Sequence, residues 1–168
     1  KGVIRCGCLA HMRRYWKEAL PGKSRKSSDK THAEIGLDYC NQLFELEKEY
    51  ADLDADTRKA ERLETKPAIW EAYWSWLETV NPAGGSRLAK AVTYAKNQKP
   101  YMENYLLDGR CSISNNIAEN IARPYAVGRK NFLFHDTVKG ARASSIIYSL
   151  VETAKLNDLN IYAYLETV

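Results

Sequence analysis

The stretch from Pro67 to Pro82 restricts the fold more than any other part of this chain. It holds Ile69, Trp70, Tyr73, Trp74, Trp76 and Leu77, and prolines stand at both ends. Trp70, Tyr73, Trp74 and Leu77 recur at helical spacing, so the segment predicts a helix with an aromatic face. Pro67 is compatible with the first turn of such a helix, where its missing N–H costs nothing. Each ring buries about 150–250 Å², so a helix of this kind needs other helices packed on it. Three tryptophans so close together also suit a platform for stacking bases, but a core stripe is the commoner use.

The rest of the chain supplies helices to pack there. Residues 10–20 read as a helix stopped by Pro21 and Gly22, followed by a Ser/Lys-rich loop over 21–30. A long helix is predicted over 31–51, with Ile35, Tyr39, Leu43 and Leu46 on one face. Residues 55–66 are charged and helix-favouring. A helix over 86–107 is expected to kink at Pro100. Further helices are predicted after Asn115-Asn116, from about 117 to 127, from 139 to 156, and from Ile161 onward. Two short strands are expected, at 3–8 and at 132–134, with a turn over 128–131 between the last strand and the helix before it. At 168 residues the chain suits one ordinary domain. Hydrophobic residues at 45% and charged residues at 27% exclude a disordered class. No apolar run approaches the roughly 20 residues of a spanning helix, so no membrane role is expected. There is no secretory leader, and the first residue is Lys1, so the natural chain is expected to begin further upstream.

Charge is partitioned along the chain. Residues 1–30 carry nine basic and two acidic residues, a net +7. Residues 31–80 are net −7, and residues 81–168 are net +4. Basic ends suit contact with a polyanion, because Lys and Arg displace counterions from phosphates. Neutralisation between segments is the plainer reading.

The chemistry-bearing residues are few. There is no catalytic-triad spacing, phosphate-binding glycine loop or dinucleotide fingerprint. Cysteines 6, 8, 40 and 111 are irregularly spaced, which suggests reduced thiols and a cytoplasmic location. Cys6, Cys8 and His11 offer three soft metal ligands, but a structural zinc site needs a fourth. Asn116 and Glu119 have the spacing of a capping box, with Arg123 one turn beyond Glu119.

Longer blocks of residues carry a resemblance. Gly7-Cys8-Leu9-Ala10-His11-Met12-Arg13-Arg14 forms the first block. Asp108-Gly109-Arg110, Ile113-Ser114-Asn115-Asn116-Ile117-Ala118-Glu119, Arg123-Pro124 and Gly128-Arg129-Lys130-Asn131-Phe132-Leu133-Phe134 form the second, continuing through Gly140-Ala141 to Thr153-Ala154-Lys155. In these segments the chain resembles the C-terminal part of insertion-sequence-66 family transposases, with Cys8, His11, Arg13, Arg14, Asn115 and Asn116 matching the family signature. The match is weakest over 21–80.

That resemblance implies an RNase H-like catalytic domain in which three carboxylates hold two divalent ions, Mg²⁺ or Mn²⁺. Glu119 matches the third, helix-borne carboxylate, and the two aspartates are expected upstream of residue 1. The expected fold is mostly α: the C-terminal portion of an RNase H-like α/β domain with a large helical insertion and one or two short strands. Residues 1–10 would be the last core strand, 11–107 the helical insertion, and 108–168 the remainder with the Glu119 helix. The implied function is DNA transposition by strand cleavage and strand transfer at insertion-sequence ends. Arg123, Arg129 and Lys130 would face phosphates, and copies of the protein would assemble on DNA in a bacterial cytoplasm. With one carboxylate of three, this chain alone is expected to hold no metal and to be inactive. Ser114 and Asn120 stand where the family usually has Asp and Arg. A helical DNA-binding or interaction module without chemistry is the alternative reading of the same residues.

Overall fold

The computed structural model describes residues 2–22, 29–132 and 135–168. The chain divides into two units, Lys1–Asn115 and Asn116–Val168. Unit 1 contains α1 (Leu9–Glu18), α2 (His32–Glu49), α3 (Ala55–Thr79) and α4 (Arg87–Met102), then a 3-10 turn at Asn104–Leu107. Unit 2 contains α5 (Asn116–Phe132), α6 (Val138–Leu156) and α7 (Ile161–Thr167). Most starts are set by side-chain caps. Thr31 and Glu34 form a reciprocal capping box at α2, and Asp54, Ser86, Thr137 and Asn160 accept first-turn amide N–H groups at α3, α4, α6 and α7. Among the described residues no helix is long and apolar enough to cross a membrane.

The aromatic stripe of α3 builds the core of unit 1. Trp70, Tyr73 and Leu77 are buried beside Leu9, Met12 and Trp16 of α1, Cys40 and Leu43 of α2, and Ala91 and Ala95 of α4. Trp70 and Trp74 stack with centroids 5.4 Å apart. The indole N–H groups of the three buried tryptophans have acceptors: Trp16 donates to the Tyr73 hydroxyl, Trp70 to the Tyr105 hydroxyl, and Trp74 to the Glu103 carboxylate. These rings are core rather than a base-stacking platform. The α1–α2 approach depends on Gly36, because a Cβ there would lie 2.5 Å from the Trp16 ring.

The structure departs from the sequence expectations at four places. Residues 3–8 run without strand pairing, and among the described residues there is no strand. Gly7 donates its N–H to the Tyr101 carbonyl, but no ladder follows. Pro67 lies inside one continuous helix, α3, instead of starting a new one. α4 ends at Met102, two residues after Pro100, and does not run kinked to Leu107. Residues 128–131 belong to α5 and form no turn, while most of the strand expected at 132–134 lies outside the described residues. Gly128 is tolerated within α5, where a glycine costs about 1 kcal/mol relative to Ala.

Candidate functional site

The two blocks of motif residues within unit 1 lie side by side. Leu9 donates its N–H to the Ile113 carbonyl at 3.1 Å, and the Asn115 N–H donates to Cys8 Sγ at 3.3 Å. Asn104 donates its side-chain amide to the Arg5 carbonyl, and Cys6 and Cys111 bring their sulfurs to 3.5 Å. The chain thus leaves this corner at α1, builds four helices, and returns to the same corner before α5. Cys8 occupies the cap position of α1 without a side-chain cap bond, and His11 is half-buried in the first turn. All four cysteines are free thiols.

The Asp108-Gly109-Arg110 turn is held to α3 from below. Arg62, 1% exposed, donates to the Tyr105 and Asp108 carbonyls and also pairs with Glu47 at 2.6 Å. Arg58 donates to the Gly109 carbonyl and to those of Tyr50, Ala51 and Leu53. The turn lies so close to α3 that a Cβ on Gly109 would overlap the Ala55 carbonyl oxygen. Above it, Asp108 accepts from the Arg110 guanidinium and backbone, which holds its carboxyl well below the usual range. Sequence reasoning missed Arg58, Arg62, Lys66 and Glu47 because charged residues in a helical run read as a solvated face. The available signal was spacing: Arg62 and Lys66 continue the Trp70–Leu77 stripe at four-residue intervals.

Lys66 donates to Glu47 and to the Leu43 carbonyl. Burial depresses its ammonium to about 8, against the opposing pull of Glu47. Burial pushes Glu47 upward, but the hydrogen bonds from Arg62 and Lys66 outweigh it and leave the carboxyl below its ordinary value.

The paired arginines of α1 have different surroundings. Arg13 donates to Asn41 Oδ1 at 2.8 Å and lies over the Phe44 ring, so it joins α1 to α2. Arg14 is exposed on the side of α1 near Tyr94.

In unit 2, α5 begins at Asn116, so Asn115 holds the cap position expected for Asn116. Glu119 lies in the first turn of α5 and Arg123 one turn later, and both are exposed. A carboxylate in a first helical turn is favoured by the positive end of the helix dipole. Arg129 and Lys130 belong to α5, and their side chains lie outside the described residues. Tyr125 hydrogen-bonds His135 and packs edge-on against Tyr148, joining α5 to α6.

Comparison with known proteins places these features in a family. The chain is 32% identical to the uncharacterized protein y4qI of Sinorhizobium fredii over 92% of its own length and 28% of that protein's. It is 29% identical to y4hP of the same organism over 96% of its length and 31% of that protein's. It therefore spans less than a third of the curated relatives it matches. No solved structure matches it. The family model described as "Transposase IS66 family" matches residues 1–143, which includes the first block of motif residues, the helical unit, and the second block as far as Gly140-Ala141. The chain belongs to the IS66 family of transposases.

Proposed function

We propose that this chain forms part of an enzyme that cuts and joins DNA strands at the ends of an insertion sequence, with Glu119 as one catalytic carboxylate. The observation that carries the reading is the closure of unit 1 on itself: Leu9 bonds to Ile113 and Cys8 to Asn115. A helical body whose two ends meet suits insertion between the last strand and the final helix of an RNase H-like α/β core. On this reading residues 1–10 reach that core, 11–107 are the insertion, and 108–168 return with Glu119. Exposed apolar residues favour it, with Val3 and Ile4 in the N-terminal segment and Ile146 and Ile147 on α6. Strands from upstream of Lys1 would cover them.

Glu119 fits as a ligand for a divalent ion, since it is an exposed, hard oxygen donor at the start of a helix. One carboxylate does not make a two-ion site, so two upstream aspartates would complete it. Bound Mg²⁺ or Mn²⁺ supplies charge neutralisation at the attacking and leaving oxygens of the phosphodiester. Arg123, Arg129 and Lys130 would hold phosphates of the strand being cut, positioning it without reading bases. Two or more copies would pair the insertion-sequence ends with target DNA in the cytoplasm. In the protein extended upstream of Lys1, Glu119→Gln should remove strand cleavage while leaving binding to the ends within about threefold. Retained cleavage would refute the assignment. The 168-residue chain alone should bind Mg²⁺ no better than millimolar by calorimetry and should not nick plasmid DNA.

A further inference from the structure

Helices α1 and α4 pack side by side in unit 1, and their shared face is basic and aromatic. α4 carries Arg87, Lys90, Lys96 and Lys99 and no acidic residue. Lys96 pairs with Glu78, and Lys99 lies over Trp74, so these two turn toward α3. Arg87 turns toward α1, where it reaches the Glu18 carbonyl, and Lys90 is exposed one turn further along α4. Tyr94, one turn beyond Lys90, stacks on Tyr15 of α1 with centroids 4.6 Å apart. Burial raises the Tyr94 hydroxyl, and the neighbouring guanidiniums of Arg14 and Arg5 pull against that rise. Arg5 lies 4.3 Å above the Tyr101 ring and donates to Gln98. Two exposed cations, Arg5 and Arg14, thus lie near the tyrosine stack, and two more, Lys90 and Arg87, are exposed one and two turns before Tyr94 on α4. α2 has the opposite character, with five acidic residues against Lys48.

We infer that this α1/α4 face is a second DNA-contacting surface, lying on the helical unit and binding the backbone of a duplex without reading its bases. The inference rests on the transposase reading for its choice of partner and adds a site to it. Two features favour a phosphate backbone. Arg5 is already fixed by its ring and its glutamine, so little side-chain freedom remains to be lost on binding a phosphate. Arg87 and the Arg5–Gln98 contact are eleven residues apart on α4, about 16 Å along its axis. That length spans about five phosphates of one strand of B-DNA. The charge partition read along the sequence becomes a partition between helices, so a polyanion on α1/α4 meets little opposing charge.

The test uses the 168-residue chain and a labelled duplex of random sequence, followed by fluorescence anisotropy at several salt concentrations. The expected result for Arg14→Gln/Arg87→Gln/Lys90→Gln is at least tenfold weaker binding at low salt. The slope of log affinity against log salt should flatten by about 2.7, or 0.9 per lost contact. A thermal melt within about 3 °C of the parent would show that the fold is intact. The companion variant Lys30→Gln/Lys48→Gln, near or on acidic α2, should bind as the parent does. Unchanged affinity and slope in the triple variant would overturn the inference. If Arg123→Gln/Arg129→Gln/Lys130→Gln alone weakened binding, the α5 contacts of the transposase reading would stand without this second surface. If the parent chain self-associated in low salt without DNA, and the triple variant did not, the face would belong to the acidic side of a second copy and the inference would fail. Absence of DNA binding by the parent chain would also end it. Loss of cleavage activity on Glu119→Gln in the longer protein tests the catalytic reading independently.

Discussion

Glu47 is the residue on which the largest electrostatic penalty depends. It is the counter-charge for Arg62 and Lys66, which are 1% and 0% exposed. Removing one member of a buried ion network leaves an uncompensated charge, at a typical cost of about 3–5 kcal/mol. Glu47→Gln should therefore lower stability by about that amount in urea melts, and adding Lys66→Met should recover part of the loss. A loss below about 1 kcal/mol would show that water reaches the network. The titrations give a second check. Lys66 is depressed from 10.5 to about 8, so between those values the unfolded chain binds more protons than the folded one. Its contribution to stability must then rise with pH across that window. The difference in melting temperature between the parent and Lys66→Met should shift in the parent's favour from pH 8 to pH 10.5. Glu47 works in the opposite range: its depressed value contributes stability above its ordinary 4.5, and that contribution is lost as pH falls through the folded value.

Among the helices, α3 shows how much of the fold was legible in the sequence and why the rest was not. Trp70, Tyr73 and Leu77 announced a buried helical face, because large apolar side chains at that spacing have few other uses. The first half of α3 was legible as a helix-favouring run, but its burial and continuity were not, because Arg62 and Lys66 hold inward positions that local polarity assigns to solvent and Pro67 looks like a boundary. Packing overrode both signals. Pro67 is exposed, and its neighbours on the inward stripe, Lys66 and Trp70, are held on either side of it. A proline inside a helix removes one backbone hydrogen bond and costs about 3 kcal/mol. Pro67→Ala should thus raise the melting temperature, with a gain of up to about 3 kcal/mol if no compensating distortion has already been relieved. The segment at 3–8 failed for another reason: alternation marks a strand only when a partner strand is present, and among the described residues none is. For the site, the Glu119 position could be read from spacing alone as a helix start. Its proposed role depended on the longer motif, since an exposed first-turn carboxylate is common in helices that do no chemistry.

At the scale of the whole chain, the buried cluster of unit 1 is drawn entirely from residues between Leu9 and Ile113. All four tryptophans of the sequence lie within it or against it. A chain ending at Asn115 should therefore fold, with a cooperative melt and a tryptophan emission maximum within about 2 nm of the full chain's. A broad, non-cooperative melt would show that residues 116–168 are required for this core. The meeting of its two ends has a consequence for descent. Because Leu9 and Ile113 are bonded neighbours, a turn of a few residues would close the gap left by removing everything between them. On the insertion reading such a body is exchangeable cargo: a lineage could gain it, shed it or trade it for another in one recombination event without moving the segments on either side of it. Diversity among relatives should then concentrate inside this segment, and the Cys8 and Asn115 junction should vary less than the helices it closes.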